Sequence, residues 1–233
     1  MQSVYKLPIA MAALHEVDRR KLQLDAEVRV EQSEYPRPGQ YSPLRDQNPS
    51  GATVTVRELL RLAVSESDGT ASDVVLRLLG GTSVVMTYLR EIGIRDLQVL
   101  DTEKRIGEDD SVQYRNWATP ESATEVLRAL LESRGLAKSS RDLLFEFMTE
   151  STRLPGRIKG LLPARTEVAH KPGSSGTTNG VTAATNDIGI ISLPDGRKIL
   201  IVVFVSDSKA DDATRDAVIA RIARRAWDLT HVD

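Results

Sequence analysis

A chain of 233 residues, 40% hydrophobic and 27% charged, has the make-up of a globular protein with one core or two lobes sharing an interface. Its 31 basic and 33 acidic residues leave a net charge of −2 without a basic stripe or polybasic run, which argues against nucleic acid or a membrane surface as partner. The absence of cysteine excludes thiol catalysis and cysteine-based zinc sites, and His15, His170 and His231 are too scattered for a metal cluster, so no cofactor is expected.

Residues 3–17 (SVYKLPIAMAALHEV) read as an apolar helix, with Pro8 tolerated near its first turn. A strand is expected at 27–32, followed by a Pro-, Gly- and Ser-rich loop. Thr55-Val56-Arg57-Glu58 has the form of a capping box and predicts a helix to about Glu66. Helices follow at 71–79 and 82–92, broken at Gly80-Gly81. Residues 101–119 are polar and aperiodic and predict a long ordered loop, packed through Tyr114 and Trp117. Helices are predicted at 120–134 and 139–150. Strands are expected at 164–170, 180–193 and 198–206, the last two joined at Pro194-Asp195-Gly196-Arg197, and a helix closes the chain at 211–229. The pattern is α+β: an antiparallel sheet flanked by helices beside an all-helical lobe. No apolar run reaches about 18 residues, so no membrane span is expected. The opening MQSVYKLPIAMAAL lacks the marks of a signal peptide.

Three short motifs carry possible chemistry. Ser3-Val4-Tyr5-Lys6 is an S-x-x-K at a helix start, where an ammonium three residues on can reach the hydroxyl and free N–H groups can face an oxyanion. Taken alone, it is equally an ordinary helix start. Ser67-Asp68-Gly69 offers a second hydroxyl between two helices, or simply an N-cap and turn. His170-Lys171-Pro172-Gly173-Ser174-Ser175-Gly176 offers a cation and a close-approach glycine, or an edge-strand break.

In this order the three resemble S-x-x-K, S-D-N and K-T-G, the signature of penicillin-binding proteins and class A β-lactamases. The segments SVYKLPIAMA, VSESDGTASD, HKPGSSG and GVTAATNDIGIISLPDG extend the likeness over essentially the whole chain. Asp109 to Trp117 (DDSVQYRNW) is similar to the extended-spectrum branch with an enlarged omega loop. The resemblance implies hydrolysis of β-lactams through a serine acyl-enzyme, by a monomer that binds only its small substrate. It assigns Ser3 as nucleophile, with Lys6 or Glu103 (through water) as base, Ser67 as proton relay and Glu103 as activator of the hydrolytic water. It implies an oxyanion hole from the N–H groups of Ser3 and Ser174. Lys171, Gly173, Ser174 and Gly69 fall in the substrate site, and Arg157 either adds charge there or is a surface arginine. The implied division is 1–30 with 155–233 as an α/β lobe and 31–154 as a helical lobe carrying the loop around 101–119.

Three positions depart from the pattern. Gly69 stands for Asn, Pro172 for Thr, and Gly107 for an Asn that helps hold the water in most relatives. Only Met1 and Gln2 precede the first motif, where the family has a signal peptide, a helix and two strands. The resemblance therefore implies a chain shortened at its N-terminus from a periplasmic or secreted protein. Without those strands, an edge or an apolar face of the 180–206 hairpin would be exposed, and stability and activity would be low. A slowly deacylating penicillin-binding or D,D-peptidase-like protein, and a homologue without turnover, are the alternatives.

Overall fold

In the computed structural model, which describes residues 1–230, a 3₁₀ turn at Gln2–Tyr5 runs directly into helix α1, Lys6–Asp18. His231 lies outside the described residues. Every residue of α1 from Lys6 to Leu14 is buried, as its nearly unbroken apolar sequence requires of a helix surrounded by others. Strand β1 (Glu27–Val30) pairs antiparallel with β2 (Ala52–Thr55), and the short helix α2 (Pro43–Gln47) lies between them in sequence.

Thr55 caps helix α3 (Val56–Arg61) by accepting from the Glu58 N–H at 3.2 Å. The chain then widens into a π turn, Leu62–Glu66, and enters Ser67 in the left-handed conformation, φ 63°. Asp68 caps helix α4 (Gly69–Leu79), and α5 (Thr82–Glu91) follows.

The stretch expected as an aperiodic loop is built differently. A two-residue clamp, β3 (Leu97–Gln98) with β4 (Trp117–Ala118), closes its base around helix α6 (Glu103–Glu108) and a 3₁₀ turn. The buried Asn116 stitches that base: its Oδ1 accepts from Leu100 N at 2.7 Å and Asp101 N at 3.0 Å, and its Nδ2 donates to Asp101 O at 2.9 Å. Tyr114 and Trp117 do not pack the loop; they are 56% and 39% exposed. Order comes from amide hydrogen bonds, not from the aromatic rings.

Helices α7 (Pro120–Leu131) and α8 (Lys138–Glu150) precede the sheet of β5 (Val168–Ser174), β6 (Thr177–Thr178), β7 (Val181–Ser192) and β8 (Lys198–Ser208). Strand β7 pairs antiparallel with β5 and β8 on its two sides and with the short β6. The mixed architecture is α+β. Helix α9 (Asp212–Leu229) covers one sheet face through Ile219, Ala223 and Trp227 against Ile191, Ile201 and Val203. The other face, with Ile188 and Ile190, joins the large core around α1. Helices thus pack on both faces of the β7–β8 hairpin, and the outer edges of β5 and β8 are unpaired among the described residues. No helix of the described residues is long and apolar enough to cross a membrane.

Beneath the sheet, His170 Nδ1 lies 3.0 Å from Asp187 Oδ2 with both side chains fully buried. Asp187 also accepts from the Ile158 N–H at 3.3 Å. Removing Asp187 leaves the His170 ring nitrogen and the Ile158 N–H without their partner, so Asp187→Ala should lower stability by about 1–3 kcal/mol. The denaturant midpoint measures this, and an unchanged midpoint would refute a structural role for the pair.

Candidate active site

The residue before Ser3 sets its position. Gln2 adopts φ 52°, a left-handed conformation uncommon outside glycine and typical of a site held under constraint. Strand β5 runs backbone to backbone against this turn. A Cβ on Gly173 would lie 2.8 Å from Met1 O and 3.0 Å from both Ser3 N and Val4 N, so only glycine permits the approach. The two segments thereby border one cleft of about 610 Å³, lined by Ser3, Lys6, Ser67, Glu103, Gly173 and Ser174 among others.

Lys6 is 2% exposed and its Nζ donates to Ser67 O at 2.7 Å, while lying 3.0 Å from Glu103 Oε1. The ammonium thus joins the second motif, through Ser67, to Glu103. Lys171, fully buried on β5, donates from Nζ to Ser67 Oγ at 2.8 Å. Burial and the nearby Lys6 charge press the Lys171 pKa well below the ordinary lysine value, which favours release of its proton to a neighbour.

Glu103 opens α6, and Thr102 caps that helix by accepting from the Arg105 N–H at 3.1 Å. Burial by itself would raise the Glu103 pKa, but the Lys6 charge and hydrogen bonds from Tyr5 and Lys6 hold it below the usual glutamate value. The Tyr5 hydroxyl donates to Glu103 Oε1 at 2.7 Å. Burial raises the Tyr5 pKa well above normal, so the phenol stays protonated and remains a donor. Asp73, one helical turn after Gly69, accepts from Glu103 N at 2.8 Å and Lys104 N at 2.9 Å and so ties α6 to α4. Its burial and the adjacent Glu103 carboxylate push its pKa up to about 7.

Ser174 is held from behind. Arg157 Nη2 donates to Ser174 Oγ at 2.6 Å, and Nη1 donates to Gly173 O at 3.1 Å and Asn186 O at 2.8 Å. With its Nε on Asp216 at 2.7 Å and only 4% exposure, Arg157 is no surface arginine. Pro172 lies within β5 opposite Asp187, on the strand that ends the sheet at the cleft, where a missing N–H is tolerated. Gly69 faces Tyr41 O and the Glu103 side chain, with a Cβ there falling 3.2 Å and 3.4 Å from them. Above it, the Arg153 guanidinium stacks on the Tyr41 ring at 4.1 Å.

The structure therefore gathers Ser3, Lys6, Ser67, Glu103, Lys171, Gly173 and Ser174 in and around one cleft, with Gly69 at its edge and Arg157 behind Ser174. Tyr5 and Asp73 were not foreseen. Tyr5 is an interior position of S-x-x-K with no signal of its own. Asp73 had one: it shares a helix face with Gly69 at i, i+4.

Residues 1–230 match the model of the beta-lactamase enzyme family. The chain is 42% identical to the extended-spectrum beta-lactamase PER-1 of Pseudomonas aeruginosa over 98% of its own length and 74% of that protein. It is 38% identical to beta-lactamase VEB-1 of the same organism, over 98% of this chain and 77% of that one. A crystal structure of a beta-lactamase from Chitinophaga pinensis DSM 2588 superposes with a TM-score of 0.96 at 43% identity, covering 99% of this chain and 85% of that one.

Two outcomes follow from the geometry. Carbon-13 NMR of the Glu103 carboxyl should give a pKa below that of an ordinary glutamate, rising in Tyr5→Phe as one hydrogen bond to the charged form is lost. No rise would remove Tyr5 from the account. Asp73→Ala frees two N–H groups at the start of α6 and, above the Asp73 pKa of about 7 where the carboxylate is charged, should cost about 1.5–3 kcal/mol by chemical denaturation, the range for bonds to a charged acceptor.

Proposed function

The chain belongs to the class A β-lactamase family and hydrolyses β-lactams, and we propose that it does so through an acyl-enzyme on Ser3. Ser3 Oγ attacks the lactam carbonyl and its proton leaves to a base. Lys6 faces Glu103 as an ion pair at 3.0 Å, and an ammonium has no lone pair. For Lys6 to accept the Ser3 proton it must first hand its own to Glu103. If instead Glu103 acts through a water, it takes the proton directly. Both routes end with the proton on Glu103.

The C–N bond of the lactam then breaks, and Ser67 Oγ gives its proton to the departing nitrogen. Lys171, 2.8 Å from Ser67, resupplies it. The N–H groups of Ser3 and Ser174 stabilise the carbonyl oxygen as it becomes an oxyanion. The substrate carboxylate meets the Ser174 hydroxyl, which Arg157 fixes from behind. Glu103 then returns its proton through Lys6 and the Ser67 hydroxyl to Lys171, which leaves it a carboxylate again. In the second half-reaction water gives a proton to Glu103 as its oxygen adds to the acyl carbon. The ester C–O bond breaks, Ser3 Oγ recovers its proton, and the opened lactam leaves.

One observation carries this reading: Glu103 lies in the cleft with Ser3, held by Lys6 and Tyr5. A carboxylate there supplies what a slowly deacylating penicillin-binding protein lacks, and so favours turnover over trapping. Under the same reading, residues 1–30 and 155–233 bring Ser3, Lys171 and Ser174, and residues 31–154 bring Ser67 and Glu103. The enzyme acts as a monomer outside the cytoplasm, in the periplasm or secreted, where it meets its substrate.

Hydrolysis of a chromogenic cephalosporin tests the assignment. Ser3→Ala should lose at least about 10³-fold in kcat. Glu103→Ala should lose a similar factor while its acyl-enzyme accumulates, visible by mass spectrometry as an adduct on Ser3. A stable adduct on the wild-type chain would point to the penicillin-binding class, and undiminished turnover in Ser3→Ala would end the nucleophile assignment.

A further inference from the structure

Gln40 belongs to no motif, yet its side chain enters the catalytic cleft beside Glu103. Its Nε2 donates to the main-chain oxygen of Glu103 at 2.7 Å. That bond requires a donor, so it fixes which end of the amide faces Glu103 and which faces away. The other end, Oε1, is buried and has no hydrogen-bond partner within the protein. Buried acceptors are seldom left unpaired, so Oε1 calls for a donor from outside the chain.

Two further features show that this amide is built in. A Cβ on Gly107 would overlap the Gln40 amide, so the glycine at 107 makes the room that Gln40 fills. The main chain around Gln40 is also clamped. Arg45 donates to the carbonyls of Pro36 at 3.1 Å, Arg37 at 2.9 Å and Gln40 itself at 2.9 Å. The unpaired oxygen thus lies against Gly107, on a residue that lines the same cleft as Ser3 and Glu103.

We propose that Gln40 Oε1 accepts one hydrogen of the water that hydrolyses the acyl-enzyme, while the Glu103 carboxylate accepts the other. A water that donates to two fixed acceptors has its lone pairs oriented, which is what attack on an acyl carbon needs. This rests on the Ser3–Glu103 mechanism above and adds to it a water-positioning residue from a separate loop. Position 107, where the family commonly places an amide, is a glycine here because the amide arrives from residue 40.

The experiment separates acylation from deacylation by stopped-flow burst and time-resolved mass spectrometry on a cephalosporin. Gln40→Ala should leave acylation within about twofold of wild type and slow deacylation about tenfold, the loss of one well-placed hydrogen bond. The Ser3 adduct then builds up in the steady state. Gln40→Gly combined with Gly107→Asn should recover most of the deacylation rate, a rescue that a merely structural role for Gln40 would not give. Wild-type deacylation in Gln40→Ala would overturn the proposal and leave the Ser3–Glu103 mechanism standing. Equal slowing of both steps with no recovery in the double variant would overturn it as well. Failure to trap any Ser3 adduct in Glu103→Ala would instead overturn the underlying mechanism and the proposal together.

Discussion

A lysine ammonium and a glutamate carboxylate facing each other at 3.0 Å, the lysine almost fully buried, form the interaction around which this protein is arranged. Desolvating two charges is expensive, and attraction between them offsets the cost only when their other hydrogen-bonding positions are filled. Here they are filled from three directions. Lys6 donates a hydrogen bond to the Ser67 carbonyl, and Tyr5 donates one to the Glu103 carboxylate. Asp73 holds the Glu103 main chain from α4. The helix that begins at Lys6, the turn that ends at Ser67 and the loop that carries Glu103 are each required to satisfy one pair.

Positive charge in the cleft follows a similar logic. Lys171 is buried and close to Lys6, and burial and the Lys6 charge make its ammonium harder to keep charged. Arg157, always charged, is placed out of solvent and neutralised by Asp216, so it adds rigidity at Ser174 without a second desolvated cation facing the substrate. Flexible charges are thus kept where protons move, and the permanent one where a hydroxyl must stay still.

Residues whose roles depend on local spacing were legible in the sequence. Spacing marks Ser3 with Lys6, and Ser67, as candidates, and the resemblance sets them apart from an ordinary helix start and turn. Lys171 lies one residue past the strand expected at 164–170, inside β5. The α+β order of helices, hairpin and closing helix could be read for the same reason. Glu103 was legible only through resemblance, because nothing within ten residues marks it. Tyr5 and Gln40 meet Glu103 across 98 and 63 residues, which no periodicity reports, and the spacing of Asp73 from Gly69 marks a shared face but not its partner 30 residues away. Tyr114 and Trp117 misled for the opposite reason: large rings usually pack, but here Asn116 alone had enough polar atoms to close the loop base.

The π turn at Leu62–Glu66 is the feature that fixes the direction in which Ser67 enters the cleft. A wide turn is an α-helix with one residue inserted, so each residue advances the following side chain by about 100° around the axis. The Ser67 hydroxyl is therefore a phase-sensitive element. Substitutions on the outer face of α3 leave that phase untouched, whereas one residue added or removed before Ser67 rotates it out of reach of Lys171. Side-chain changes are absorbed by this part of the chain, and changes of length are not.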